Sequence, residues 1–350
     1  MPNLTWDEAT AYDLFISLYV LHRPEQFGLR ASWAAGVRSR VPPSQREFLE
    51  SAQTFLPVPL RWLYLLPAGS KDAAGAIHAL AQLPIEELLP ALSLTPQTSS
   101  QLTSTLRHIT LRQSWDPAGL EVLRKHFQRK GQILKPADLQ RLCQAWARPA
   151  EFGERFLQAL TSYHQAFFAE EELRLRPALS AGLERAAALA GQMDTAALLD
   201  LLSGGLHFAT LDSLRKLVLA PSFWAGPLAF FQRVQPGCVI VAFGCRAEEQ
   251  SLIPGEQTPA LLLGALKAVG DPTRLRILRY LAASPQTPSQ LARQLRLRPP
   301  TVIHHLNTLR NAGLVEITIQ PELERSYTLR GGALNGMLDS LRQYLDPVQS

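Results

Sequence analysis

The side chains between Thr287 and Arg325 whose types and spacing suit chemistry are hydrogen-bonding groups and cations, not nucleophiles. Thr301, Ile303, His304 and Asn307 fall within two turns of a stretch with helical periodicity. Such a set suits the edges of base pairs. An Asn amide pairs bidentately with adenine, and an Ile methyl meets the methyl of thymine. Arg298, Arg310 and Arg325 are placed to grip phosphates, which position a reader without carrying sequence information. Thr287, Ser289 and Gln290 open another helix, where hydroxyls and unpaired N–H groups suit a phosphate.

Other chemistries find little support. GxSxG, GxGxxG, the P-loop and HExxH are all absent. His22, His78, His108, His126 and His164 stand at no ligand spacing, so no metal, no cofactor and no enzymatic activity are expected. Three cysteines, Cys143, Cys238 and Cys245, make neither a CxxC pair nor a disulfide framework. Cys238 and Cys245 bracket an apolar strand; two buried structural thiols are the first reading and a redox pair the second. No apolar run reaches the ~18 residues of a spanning helix, and the first residues lack a basic stretch followed by an apolar one. A cytoplasmic protein is expected.

Charge narrows the partner. The chain of 350 residues has 35 Lys+Arg, 30 Asp+Glu and a net charge of +5. Residues 261–350 alone contain 11 Lys+Arg against 6 Asp+Glu, so residues 1–260 are balanced. A local cationic excess of this kind is the footprint of a polyanion-binding surface.

The elements that carry these residues follow from local signals. Asp271-Pro272 starts a helix, with Asp as cap and Pro where no N–H is needed. Its apolar stripe is read as Leu275, Ile277, Leu278, Leu281 and Ala282. Thr287-Pro288-Ser289-Gln290 is a capping box that opens a second helix. Pro299-Pro300 begins a third, which runs to Asn311 and stops at Gly313. Leu314–Gln320 alternates with period two, Arg325–Leu329 returns, and a last helix spans about Ala333 to Leu345. The pattern predicts a winged helix-turn-helix over 261–350, with the reading helix at 299–311 and the wing at 314–329.

The phrases LKAVGDPTRLRILRYLA, TPSQLARQL and PPTVIHHLNTLRNAGLV resemble bacterial ArsR/SmtB-type transcriptional regulators. The resemblance covers about a quarter of the chain. It implies a homodimer on a pseudo-palindromic double-stranded DNA operator, acting as a repressor in the usual case. Pro299, Ile303 and Asn307 depart from the residues common there, so no particular operator is implied. Founding members sense metals through cysteines or through Asp/His sets on the last helix. Here no Cys follows Cys245 and the last helix has no His, which again predicts no such metal site.

Residues 1–245 read as a mostly helical regulatory domain and 246–260 as a polar linker. A helix is expected from Trp6 to His22 and a long one from Glu151 to Gln192, kinked at Pro177. Short strands are expected at Leu206–Thr210, Arg215–Ala220 and Cys238–Phe243, with Pro221–Pro236 an aromatic loop. The fold class is therefore mainly α with small β. This half looks like the helical extension of some larger bacterial relatives, whose function does not transfer. Trp33, Trp62, Trp146, Phe167, Phe168, Phe223 and Trp224 serve either as core or as the lining of a small-molecule effector pocket. The rival functions are an enzyme or small-molecule-binding protein whose winged helix serves dimerisation, and a thiol redox regulator.

Overall fold

The computed structural model describes residues 2–27, 29–129, 134–226, 228–246, 260–320 and 324–345. Helical structure does not begin at Trp6. Asn3–Trp6 is strand β1, and the first helix, α1, spans Thr10–Leu21. Four further strands of the larger half are β2 (Leu206–Phe208), β3 (Lys216–Ser222), β4 (Phe230–Gln235) and β5 (Cys238–Gly244). The order of the first sheet is β1-β3-β5-β4, with β1, β3 and β5 parallel and β4 antiparallel on the edge.

Burial explains which strands take the centre. From Leu217 to Ser222 and from Cys238 to Phe243 every residue of β3 and β5 is buried, the near-continuous apolar run expected of parallel strands covered on both faces. β4 replaces the C-terminal part of the expected aromatic loop. It reaches β5 through Pro236-Gly237, with Gly237 at φ +74°, a backbone angle that favours glycine. α1 lies at the heart of the half, with Asp13 and Ser17 buried among its apolar residues.

Around this sheet the helices start where proline allows: Pro117, Pro136 and Pro149 are each a first helical residue. α2 (Pro149–Tyr163) runs through a π turn at His164–Phe168 into α3 (Ala169–Ala190), which carries Pro177 in its interior. α4 (Thr195–Ser203) follows, capped by the Asp194 carboxylate accepting from the Ala197 N–H at 2.8 Å. α2 crosses the turn at residues 85–87 so closely that a methyl on Gly153 would lie 2.3 Å from the Ile85 carbonyl oxygen. Gly153→Ala is therefore expected to destabilise the fold by about 1–3 kcal/mol, the usual cost of overpacking. A urea midpoint unchanged from wild type would show that the two backbones separate freely.

The basic C-terminal region forms α5 (Ala260–Val269), α6 (Pro272–Ala283), α7 (Pro288–Leu295), α8 (Pro299–Asn311), β6 (Val315–Ile319), β7 (Arg325–Leu329) and α9 (Ala333–Leu345). This is the expected winged helix-turn-helix order, and the described residues are mainly helical with small β, as expected. In α6, Ile277, Leu278 and Leu281 are buried, but Leu275 and Ala282 of the expected stripe are exposed. The wing sheet has a third strand drawn from the larger half: β2 pairs in parallel with β6, Leu206 opposite Ile317 and Phe208 opposite Ile319. The expected linker lies outside the described residues except for Arg246 and Ala260. Among the described residues, no helix is long and apolar enough to cross a membrane.

Candidate nucleic-acid interface

α8 is held by its own apolar stripe. Val302, Leu306 and Leu309 are buried, which fixes the helix rotation and turns Thr301 and His304 to solvent. Asn307 and Ile303 are half-buried beside them. The four candidate base readers thus lie on or next to one open surface, and among the described residues no part of the larger half closes over Thr301 or His304. His305, one position on, faces inward. Burial lowers its pKa, and its Nδ1 is enclosed without a hydrogen-bond partner.

The N-terminus of α8 offers few backbone donors. Pro299 and Pro300 lack N–H groups, and the Thr301 N–H turns back to the Arg298 carbonyl at 3.0 Å. Anion contacts here must therefore come from side chains, and Arg298 is exposed at the cap. α7 differs. Its capping box forms as expected: the Thr287 N–H donates to Gln290 Oε1 at 2.7 Å and the Gln290 N–H donates to Thr287 Oγ1 at 3.3 Å. That leaves the Thr287 hydroxyl hydrogen and the Gln290 amide hydrogens as donors next to the exposed Ser289. Arg296, in the left-handed conformation at φ 55°, joins α7 to α8 and is exposed.

Arg325 is half-buried at the start of β7. Arg310 stands apart from the other cations. Its Nε and Nη2 are enclosed with no hydrogen-bond partner, and burial lowers its pKa to about 10 in the neighbourhood of Tyr327, Arg325 and Tyr19. The neighbouring Asn311 donates from Nδ2 to the Gln26 carbonyl. The C-terminal end of α8 thus abuts residues 24–27 of the larger half, and the Arg310 guanidinium is enclosed near Tyr327 and Tyr19 instead of standing open to solvent. Arg274 is structural: its Nε and Nη2 donate to the Ala268 and Lys267 carbonyls at 2.7 and 2.8 Å, capping α5.

The rest of the molecule places the other candidates. Trp146, Phe167, Phe168, Phe223 and Trp224 are buried, and Trp33 stacks on Trp224 with ring centres 6.3 Å apart. An open depression of about 510 Å³ lies elsewhere, against α2, lined by Gln45, Ile85, Glu154 and Gln158 among others and by none of those aromatics. Cys238 and Cys245 are buried and free, Cys238 opening β5 and Cys245 directly following it, roughly 20 Å apart by strand rise. A disulfide needs Cα atoms within about 7 Å. Burial also pushes the Cys245 thiol up to about 12, far from a reactive thiolate.

Residues 271–316 match the model of the bacterial regulatory protein, arsR family. They form an ArsR-family helix-turn-helix domain. An uncharacterized HTH-type transcriptional regulator from Methanocaldococcus jannaschii is 45% identical over 51 residues, 14% of this chain and 57% of that protein. The chain thus spans little more than half the length of that relative. The crystal structure of NolR from Sinorhizobium fredii matches at 26% identity over 27% of this chain and 96% of that one, with a TM-score of 0.22. The ArsR-type match takes in α6, α7 and α8, the helices that position Thr287, Ser289, Gln290, Thr301, Ile303, His304 and Asn307.

Proposed function

We propose that the protein is a sequence-specific DNA-binding transcriptional regulator that enters the major groove with α8 and rests its wing on the backbone. The observation that carries this reading is the open polar surface of Thr301 and His304, with Asn307 beside them, on a helix fixed by buried Val302, Leu306 and Leu309. Arg296, Arg298 and Arg325, with Thr287, Ser289 and Gln290 at the start of α7, contact phosphates. Arg310 is left out of that set while its guanidinium is enclosed.

Two copies act together. α9 is amphipathic yet has no buried residue; Leu334, Leu338, Tyr344 and Leu345 are exposed on it, as is Leu263 on α5. These apolar groups are the surface of a homodimer, whose two reading helices sit about 34 Å apart on a pseudo-palindromic operator. The larger half is the regulatory part and takes a small-molecule effector or a partner, through the contacts of residues 24–27 with α8 and of β2 with the wing.

The test is fluorescence anisotropy with the DNA upstream of the protein's own coding region against scrambled DNA. Replacing His304 and Asn307 together with Ala is expected to lower the preference for the specific duplex by about 10- to 100-fold, in line with 1–3 kcal/mol per base contact. Binding to scrambled DNA should stay near wild type. Equal loss on both duplexes would refute base reading by α8.

A further inference from the structure

Where the larger half meets the wing, three side chains from three elements converge. They are Asp200 on α4, His207 on β2 and Glu316 on β6. His207 Nε2 lies 3.2 Å from an Asp200 oxygen and 3.3 Å from a Glu316 oxygen, and one ligand atom from each residue lies within 4.8 Å of the other two. We propose that this triad binds a single divalent transition-metal ion of the zinc class, which fastens strand β2 of the larger half to strand β6 of the wing.

The spacing matches a coordination shell. Bonds of about 2.0–2.1 Å at tetrahedral angles set ligand atoms about 3.3 Å apart, the separation seen on both sides of His207 Nε2. The hydrogen bonding points the same way. His207 Nε2 and Asp200 Oδ1 are both enclosed, yet neither makes a hydrogen bond. A cation between them accepts both lone pairs and removes the cost of leaving two enclosed polar atoms unpaired. Charge adds to this. Among the described residues the two carboxylates face one cationic side chain, Arg330, whose Nη2 is 3.8 Å from Asp200 Oδ2, so a divalent ion offsets the remainder. One imidazole and two carboxylates suit Zn²⁺, Co²⁺ or Mn²⁺ better than soft Cu(I), which prefers thiolates. The three side chains are only partly exposed, at 33%, 36% and 23%, which leaves a solvent side for a water as fourth ligand.

The backbone holds the triad together. The Ile317 N–H donates to the Gly205 carbonyl at 2.9 Å, drawing β6 against β2. Gly205 sits at φ +96°, and a Cβ there would come within 3.0 Å of Glu316 Cγ. Glycine at 205 therefore lets the Glu316 stem lie against the chain next to His207. Because β6 pairs with β7, the strand that carries Arg325, the ion fixes the wing relative to the larger half.

The test needs no DNA, so it succeeds or fails independently of the DNA-binding reading. The full chain, stripped with a chelator, is titrated with Co²⁺ and followed by its ligand-field absorption. One saturable equivalent per chain, displaced by Zn²⁺, is expected. His207→Ala and the near-isosteric Glu316→Gln should each weaken Co²⁺ binding by about 100-fold, since even an outer-shell partner is worth 10- to 100-fold. Zn²⁺ should raise the thermal midpoint of the wild type and leave that of both variants unmoved. A wild type with no saturable Co²⁺ signal, or variants with wild-type affinity, would overturn the proposal.

Discussion

DNA affinity is expected to fall by about 10³-fold as salt rises from ~50 to ~200 mM. The size of the effect comes from counting cations. Arg296, Arg298 and Arg325 flank the open surface of α8 in each protomer, and none of them forms an ion pair among the described residues. A dimer then makes about six phosphate contacts, each releasing nearly one counterion from duplex DNA. Arg298→Ala removes one contact per protomer and should flatten the plot of log affinity against log salt by about two. Arg310→Ala should leave that slope unchanged, because its guanidinium is enclosed between the wing and the larger half, near Tyr327 and Tyr19. If Arg310→Ala flattened the slope as much as Arg298→Ala, the larger half would have to swing away from α8 on DNA, freeing that side chain. Anisotropy titrations at four salt concentrations separate these outcomes.

The contrast between Arg298 and Arg310 shows what the sequence made legible. The winged helix was readable because its signals are local. Asp271 caps its own helix, with Oδ1 accepting from the Arg274 N–H at 2.9 Å, and Thr287 and Gln290 satisfy each other within one turn. Gly313 ends α8 at φ +68°, and the alternation of β6 appears directly as buried Val315, Ile317 and Ile319. What stayed hidden depends on partners far along the chain. Asn3–Trp6 is too short to declare itself, and becomes a strand because Lys216–Leu219 supplies its hydrogen bonds. β4 reads as an aromatic loop until Val239–Ala242 pairs with it. Arg310 has the spacing of a surface residue on α8; it is enclosed in the folded chain, where Tyr327 of the wing and Tyr19 of α1 are its neighbours. The Asp200, His207 and Glu316 triad has no motif spacing, since three elements bring it together. Pattern locates an element and its buried face, whereas contacts between halves belong to the folded chain.

Asp13→Asn is expected to gain stability on the wild type by about 2 kcal/mol as pH rises from 4.5 to 7. Asp13 is fully buried on α1 at the carboxyl end of β3. Its Oδ1 accepts from the Ser222 hydroxyl at 2.6 Å and from the Trp224 N–H at 2.9 Å, and its Oδ2 from the Phe223 N–H at 3.2 Å. Burial dominates these bonds and raises the carboxyl from its ordinary 3.8 to about 6. The folded state therefore binds this proton more tightly than the unfolded state. Below about pH 4 both states hold the proton and the group contributes no difference; between about 4 and 6 the folded state alone holds it, so stability falls as pH rises; above about 6 the full cost of the buried charge is present. Asn has no proton to lose and escapes that trend, though it gives up one of the two acceptor oxygens at every pH. The informative quantity is thus the change with pH in the difference between variant and wild type, which cancels the titration of all other groups. Urea unfolding of both proteins at pH 4.5 and 7 measures it. A difference that stays constant across the two pH values would mean that Asp13 ionises as freely inside the fold as in water, and that its three donors fully offset the burial of its charge.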